Sequence, residues 1–556
     1  MKKTLSPDYI FETSWEICNK VGGINTVVAT KALILVNEFG NNFILIGPDL
    51  WLETQGNPVF DEDKKLFKNW RKKALEEGIR IKIGRWKIPG NPIAFLIDFL
   101  SFVPQKNKIF KRFWEENRLD SISGQREYIE AAIFGYAAGK VIESFCKYNL
   151  TIRDKVIAHF HEWMSAAGVL YLNNKVPQIA TLFTTHATVV GRSIAGNGME
   201  LYHKLKEYNG DSVARQLGVI AKHSLEKISA HTADCFTTVS EITSNECKQL
   251  LEKKTDVVTP NGFEDNFVPT GNKFEEGREK ARKRMQHIAE SLLGYKISED
   301  AMFVANSGRF EFRNKGIDIF VQSMSNLNHN KDLQKEVIAF VLVPANNYGA
   351  RKELIKKMNN PEISIEKSYL THGLHDSDWD MILNEIKKSS LKNTVDEKVK
   401  IIYAPCYLDG NDGIFNLKYY EVLIGLDLTV FPSYYEPWGY TPLESLAFHV
   451  PTVTTNFAGI GMWVNDKLVD FNNGIEVYDR SAGEDNILIK HIVDRIVLCS
   501  YKSENEQHIA RENAFDISRI ALWKNLIKYY KEAFSIALNK VEERADKFID
   551  LTQQEI

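Results

Sequence analysis

At 556 residues the chain is long enough for two or more domains, and 44% hydrophobic with 26% charged residues is a globular composition. A net charge of −3 gives no reason to expect nucleic acid or an acidic membrane as partner. Cys18, Cys146, Cys235, Cys247, Cys406 and Cys499 form no CxxC pair, so they read as buried thiols rather than a disulfide framework or zinc site. The start has no apolar leader, and no uncharged apolar run reaches membrane-span length, so a cytoplasmic location is expected.

The elements alternate along the chain. "YIFETSWEIC" reads as a strand, followed by a Gly pair and the helix "INTVVATKALILVNEFG". "NFILIGPD", "KVIAHFHEW", "QIATLFTTH" and "DCFTTVS" are further short apolar or β-branched runs. Short strands between periodic helices predict an α/β protein with parallel sheets. "DVVTPNGF" ends in a Pro-Asn-Gly turn, which places a domain boundary near Gly262. A charged surface helix follows. Then "AMFVANSGRF", "VIAFVLVPA", "VKIIYAP" and "DLTVFPS" form a second α/β series over 263–520. Residues 351–392 stand outside the alternation and read as helices, with Trp379, Ile382, Leu383 and Ile386 on one face and Ser377 as N-cap. That face suits local packing or a partner. Residues 521–556 read as a helix with Trp523, Ile527, Tyr530 and Phe534 on one stripe, placed to cross back to the first domain, 1–262.

Five segments carry candidate chemistry. "NKVGGINTVV" follows the first strand: Gly22 and Gly23 allow close backbone approach, the helix start offers N–H groups to an anion, and Lys20 adds charge. An ordinary strand-to-helix turn reads the same way, and the absence of GxGxxG argues against a nicotinamide cofactor. "NSGRFEFRNKGID" gathers Arg309, Arg313 and Lys315 in a Gly-bearing loop, suited to a diphosphate or simply a solvated basic loop. His159, His161 and His186, with Arg192, lie at two strand ends, where ligands bind in open α/β sheets. No Cys, Asp or Glu stands in close ligand spacing to them, so no metal is expected. "FPSYYEPWGYTPLESLAF" sets Glu436 and Glu444 eight positions apart around a Pro-Trp-Gly-Tyr turn.

The ordered strings "WEICNKVGGINTVVATKA", "HFHEWMSAAG", "FTTHATVVGR", "FTTVSEIT", "VTPNGF", "GRFEFRNKGID" and "FPSYYEPWGYTPLE" closely resemble the animal and fungal glycogen synthases, over about residues 9 to 535. The resemblance implies two facing Rossmann-like domains, the glycosyltransferase-B fold, with a helical insertion in the second. It implies a retaining transfer of glucose from UDP-glucose to the 4-hydroxyl of an α-1,4-glucan end. The alternatives are an ADP-glucose-dependent synthase or a catalytically weak glucan-binding protein. A phosphorylase would need a Lys-bound pyridoxal phosphate, for which no motif is present.

By the resemblance, Glu436 lies near the transferred sugar and Glu444 accepts hydrogen bonds from the ribose. The turn Trp438, Gly439, Tyr440 and Thr441 starts a helix aimed at the donor phosphates. Arg309 and Lys315 form the diphosphate clamp, Arg192 lies near the donor, and His161 stands by the glucose 6-hydroxyl. Tyr419 stacks on the base, with Tyr420 as an adjacent competitor. No cofactor or metal is implied. The insert corresponds to inter-subunit helices, so a homotetramer is expected. Relatives bind glucose 6-phosphate through an Arg-rich helix. Here "QHIARENAFDISRIALW" keeps Arg511 and Arg519 but has Asn513 and Asp516, and no Ser-rich tail follows, so a weak or absent response is expected.

Overall fold

The computed structural model describes residues 4–51, 56–366, 368–467, 474–481 and 484–554. The chain forms two compact units, Met1–Glu264 with Ala521–Ile556, and Asp265–Ile520.

The first unit is built on nine strands: β1 (Tyr9–Thr13), β2 (Phe43–Pro48), β3 (Phe60–Glu62), β4 (Ile81–Trp86), β5 (Ile93–Ile97), β6 (Val156–His161), β7 (Ala180–Thr185), β8 (Cys235–Thr238) and β9 (Val257–Val258). Their order is β3-β4-β5-β2-β1-β6-β7-β8-β9. All pairings from β5 to β9 are parallel, and β3 and β4 add an antiparallel edge. The central strands β2, β6 and β7 are buried at every position, because helices cover both faces of a parallel sheet. Strand order turns at β1, which has β2 on one side and β6 on the other.

The long helix Trp523–Gln554 packs on β6, β7 and the helix Gly23–Phe39, all within this unit. Its stripe of Trp523, Ile527, Tyr530 and Phe534 is buried. The Trp523 indole N–H donates to Thr30 Oγ1 at 2.7 Å. Gly262 makes room for the ring, since a Cβ there would lie 2.3 Å from the indole.

The second unit adds β10 (Met302–Ser307), β11 (Val337–Leu342), β12 (Asn347–Ala350), β13 (His372–Leu374), β14 (Val399–Ala404), β15 (Leu428–Val430), β16 (Thr452–Thr455) and β17 (Ile475–Tyr478). Six of them form an all-parallel sheet in the order β14-β11-β10-β15-β16-β17. The order reverses between β10 and β15, the crevice where open α/β sheets bind ligands. Val304, Phe320, Val341, Val430 and Ile492 are among the residues of its core.

The segment 351–392, of which residue 367 lies outside the described residues, is not purely helical. Two short helices, Lys352–Asn359 and Met381–Lys388, flank β13, which pairs antiparallel with β12. Asp380, not Ser377, caps the second helix by accepting the Leu383 N–H at 2.7 Å. The helix therefore starts after Trp379. Ile382, Leu383 and Ile386 are buried, while Trp379 is 84% exposed.

Candidate active site

In the second unit the loops leaving β10 and β15 meet at the strand-order reversal. The backbone N–H groups of Tyr434 and Tyr435 donate to the Asn314 carbonyl at 2.9 and 3.1 Å, joining the two loops. Gly316 has φ +66°, and a Cβ there would lie 2.0 Å from the Pro432 carbonyl oxygen, so only glycine allows this approach. The result is direct contact between two sequence-predicted residues: the Lys315 ammonium donates to the Glu436 carboxylate. Both are largely buried, with side chains 11% and 14% exposed. The Glu436 backbone is held in turn by the loop after β16, its carbonyl accepting from Gly459 N at 2.9 Å.

Gly439, at φ +110°, caps the helix Tyr440–Ala447, so Tyr440 and Thr441 form its first turn. Trp438 is buried and packs edge-on against Trp463 at 6.0 Å, in the support of the turn. Glu444 accepts from the Tyr420 hydroxyl at 2.8 Å, and the Tyr420 ring stacks on Phe448. The Tyr419 hydroxyl lies 2.8 Å from Ser307 Oγ at the end of β10. Of the two tyrosines, Tyr420 is thus tied to the second carboxylate and Tyr419 to the strand end. Arg309 is exposed and pairs with Glu311 at 2.9 Å.

In the first unit the turn after β1 carries its own internal acceptor. The Glu16 carboxylate accepts the N–H groups of Gly22 and Asn25 at 2.7 and 2.9 Å, so these donors are already occupied. A Cβ on Gly22 would lie 3.0 Å from Glu16 Oε1. Gly23 opens the helix with no atom near its missing side chain, and Lys20 is exposed.

The histidines at the ends of β6 and β7 form one buried cluster. His161 Nε2 lies 2.8 Å from Glu12 Oε1, and its Nδ1 lies 2.9 Å from His186 Nε2. His159 Nε2 lies 2.7 Å from Thr184 Oγ1. Lys31 Nζ sits 2.9 Å from the same Glu12 oxygen, and 3.9 Å from the centre of the Tyr530 ring. Burial opposes ionisation of Glu12, but the Lys31 charge and the His161 hydrogen bond outweigh it and hold the carboxyl at about 2. Burial also lowers His161, His159 and His186, keeping them neutral. Glu12, His159 and His161 are close enough together to hold a metal. The Lys31 ammonium on the shared carboxylate opposes a second cation there.

Glu162 follows β6 in left-handed backbone, φ +65°, a position costly for a residue with a Cβ. Its carboxylate accepts the N–H groups of His186 and Ala187 at 2.7 and 3.0 Å, locking the loop after β7 to the end of β6. Arg192, on the helix Val189–Gly196, acts on both Glu162 and His186 through its charge.

Behind this loop Glu226 is buried, accepts from Val189 N at 3.0 Å and bonds the Thr185 hydroxyl. Burial and the neighbouring Glu162, then Glu246, push its carboxyl up to about 8. An acid that holds its proton more tightly folded than unfolded adds stability below its unfolded value, here 4.5, and loses it as pH rises through 8. Glu226→Gln mimics the protonated form. Wild type is expected to lose on the order of a few kcal/mol between about pH 5 and pH 9, and the variant clearly less. Urea unfolding across that range checks this, and equal slopes would refute it.

Glu12, Glu16, Lys31 and Glu162 were not singled out by the sequence reading. A faint signal existed for two of them. Glu12 interrupts an apolar strand, and Lys31 falls at helical spacing with the buried Val27, Val28 and Leu35.

Two parallel-sheet units, each with polar side chains gathered where strand order turns, define a glycosyltransferase-B architecture. The catalytic domain of starch synthase IV from Arabidopsis thaliana, solved with ADP and acarbose, shares this fold at TM-score 0.55 and 15% identity, over 96% of this chain and 100% of that one. A trehalose 6-phosphate synthase from Burkholderia multivorans matches at TM-score 0.52 and 11% identity, over 97% of each chain. The family model for glycogen synthase matches residues 12–359 and 352–555. Mouse liver glycogen [starch] synthase is 31% identical over 592 residues, covering 96% of this chain and 83% of the relative. The Dictyostelium discoideum glycogen [starch] synthase is 31% identical over 609 residues, covering 97% and 68%. The chain belongs to the glycogen synthase family.

Proposed function

We propose that this protein is a glycogen (starch) synthase that transfers glucose from UDP-glucose to the non-reducing 4-hydroxyl of an α-1,4-glucan with retention of configuration. The observation that carries this reading is the Lys315–Glu436 pair at the strand-order reversal of the second unit, with Glu444 eight residues on. A leaving diphosphate needs a cation, and a sugar centre gaining positive charge needs a carboxylate. Without donor, the two groups neutralise each other. A bound diphosphate competes for Lys315 with two negative charges and releases Glu436 to face the sugar.

In this reading Arg309 and Lys315 clamp the diphosphate, with Arg192 adding charge near the donor. The first turn of the Tyr440–Ala447 helix, Tyr440 and Thr441 after Gly439, offers N–H groups to the phosphates. Trp438 supports that turn, Glu444 takes the ribose hydroxyls and Tyr419 lies by the base. Lys20 with the Gly22–Gly23 turn adds a contact to the donor, and His161 belongs to the sugar's surroundings. The reaction needs no cofactor.

Turnover measured side by side with UDP-glucose and ADP-glucose, on a short maltooligosaccharide, tests the reading. Extension of the glucan with UDP-glucose preferred is expected. Faster extension with ADP-glucose would give the donor to the alternative, and no extension with either would leave a glucan-binding protein.

The clamp and the ribose contact should separate kinetically. Arg309→Ala is expected to lower kcat while glucan affinity holds, because it acts on the departing nucleotide. Glu444→Ala is expected mainly to raise the donor KM, because a ribose contact exists in ground and transition states alike. A fall in kcat with unchanged KM for Glu444→Ala would refute its assignment.

Assembly and regulation follow the same reading. The 351–392 segment, with exposed Trp379, is proposed to meet another copy in a homotetramer, and light scattering showing a monomer at micromolar concentration would exclude it. On the helix Glu504–Ile520, Arg511 lines a cavity of about 690 Å³ with Arg278, Arg282 and His508. Asp427 lies in that cavity and pairs with Arg278 and Arg282 at 2.6 and 2.7 Å, so one carboxylate already occupies both guanidinium groups and cancels one of their two charges. Activity at sub-saturating donor is therefore expected to change little with millimolar glucose 6-phosphate. A several-fold rise would overturn this.

A further inference from the structure

The loops that carry Lys315 and Glu436 press together at the Pro432 carbonyl oxygen, which lies against Gly316. Arg480 donates to that same oxygen from Nη1 at 2.6 Å. Arg480 follows β17 and is 6% exposed. Its guanidinium lies over the Tyr434 ring, 5.2 Å from the ring centre. Nη2 donates to Asp485 Oδ1 at 2.7 Å, at the start of the helix Asp485–Ser500. The Arg480 backbone N–H donates to Asn456 Oδ1 at 2.9 Å, in the loop after β16. One buried side chain therefore grips the segment before Glu436 at residues 432 and 434, and is itself anchored on two other elements.

Glu436 needs that grip at one moment in particular. Its carboxylate is held by Lys315, and a leaving diphosphate competes for the same ammonium. Once Lys315 is taken, the carboxylate keeps its place through the backbone. Residues 431–435 lie outside helix and strand, and the Glu436 N–H reaches the Phe457 carbonyl only at 3.3 Å. A guanidinium can hold a carbonyl, a carboxylate and a ring face at fixed angles together, which the point charge of an ammonium cannot do. The charge has a separate duty. It faces Asp485 and also Asp318, whose Oδ1 is buried without a partner among the described residues.

We propose that Arg480 is a positioning residue that keeps Glu436 in place once Lys315 has turned to the diphosphate, so that it acts on turnover through Glu436 and not on donor binding. The effect on turnover rests on the synthase reading above, but the grip on residues 432 and 434 does not.

Arg480→Lys tests this, because it keeps the charge that Asp318 and Asp485 face and removes the fork. In the full-length protein kcat is expected to fall roughly 10- to 100-fold, the scale of misplacing one reacting group. Donor affinity, measured without glucan, should hold. In a Glu436→Gln background the same substitution should cost about 2-fold or less, because residues that act as one unit are not additive. A normal kcat in Arg480→Lys, an equal loss in both backgrounds, or a loss of donor affinity at unchanged kcat overturns the proposal. Should Arg480→Lys not fold, Asp485→Asn, which frees the exposed arm of the fork, must show the same pattern more weakly, and its absence overturns the proposal. The grip itself is read by amide hydrogen exchange of residues 431–436 in Lys315→Ala, where the side-chain tether of Glu436 is gone without any ligand. The segment is expected to stay protected there, and to exchange several-fold faster once Arg480→Lys is added. Equal exchange in the two proteins overturns the grip. If wild type extends no glucan with any nucleotide-linked glucose, the synthase reading falls, and the exchange measurement still decides the role of Arg480.

Discussion

Glu436→Gln is expected to lower kcat by roughly 100-fold or more, the scale of losing one preorganised electrostatic stabiliser, while the protein stays folded and still binds donor. The side chain sits at the strand-order reversal of an all-parallel sheet, its backbone held by the loop after β16 and its carboxylate by Lys315. Gln has the same size and keeps an oxygen for Lys315, so the loops should keep their shape. What it lacks is the negative charge that a sugar centre needs as its bond to the diphosphate lengthens. Lys315→Ala should also slow turnover, for the opposite reason, since the leaving group loses its cation. Single-turnover kinetics with donor binding measured separately would distinguish the two. Near-normal kcat in Glu436→Gln would remove this residue from the mechanism.

Trp523→Ala is expected to cost about 3–5 kcal/mol of stability, the range for deleting a large buried aromatic side chain. Trp523 is fully buried, donates its indole N–H to Thr30 and lies against Gly262. Its backbone N–H also donates to the Phe263 carbonyl at 3.1 Å, and Phe263 N–H returns to the Ala521 carbonyl at 3.0 Å. Removing the ring empties a site that Gly262 was shaped to leave open, and strands Thr30 Oγ1 without its donor. Urea denaturation should show a lower midpoint at unchanged slope. A loss under about 1 kcal/mol would mean that the neighbouring side chains collapse into the space.

Where a residue's role depended on its own local context, the sequence was readable. The "NSGRFEFRNKG" and "SYYEPWGYTP" loops carry glycines at 316 and 439 with φ of +66° and +110°, and those positions announce tight turns with polar side chains attached. Where a role depended on a partner far along the chain, it was not. Ser377 looked like a helix cap because Asp380 stands three residues on, yet Asp380 itself takes the Leu383 N–H and Trp379 is left in solvent. The turn after β1 read equally as an anion site or an ordinary strand-to-helix turn, and only the fold shows Glu16 reaching its N–H groups.

By itself the sequence determined the α/β class, the alternation of strands and helices, the family and the loops that carry Lys315 and Glu436, because periodicity, turn glycines and motif order are all local properties. Only the tertiary structure decided that Lys315 bonds Glu436, that Tyr420 rather than Tyr419 holds Glu444, and that Lys31, Glu12, His161 and His186 form one row. The physical reason is sequence distance. Glu12 and His161 are 149 positions apart and Lys315 and Glu436 are 121 apart, and they meet only because a parallel sheet brings its strand ends to one edge.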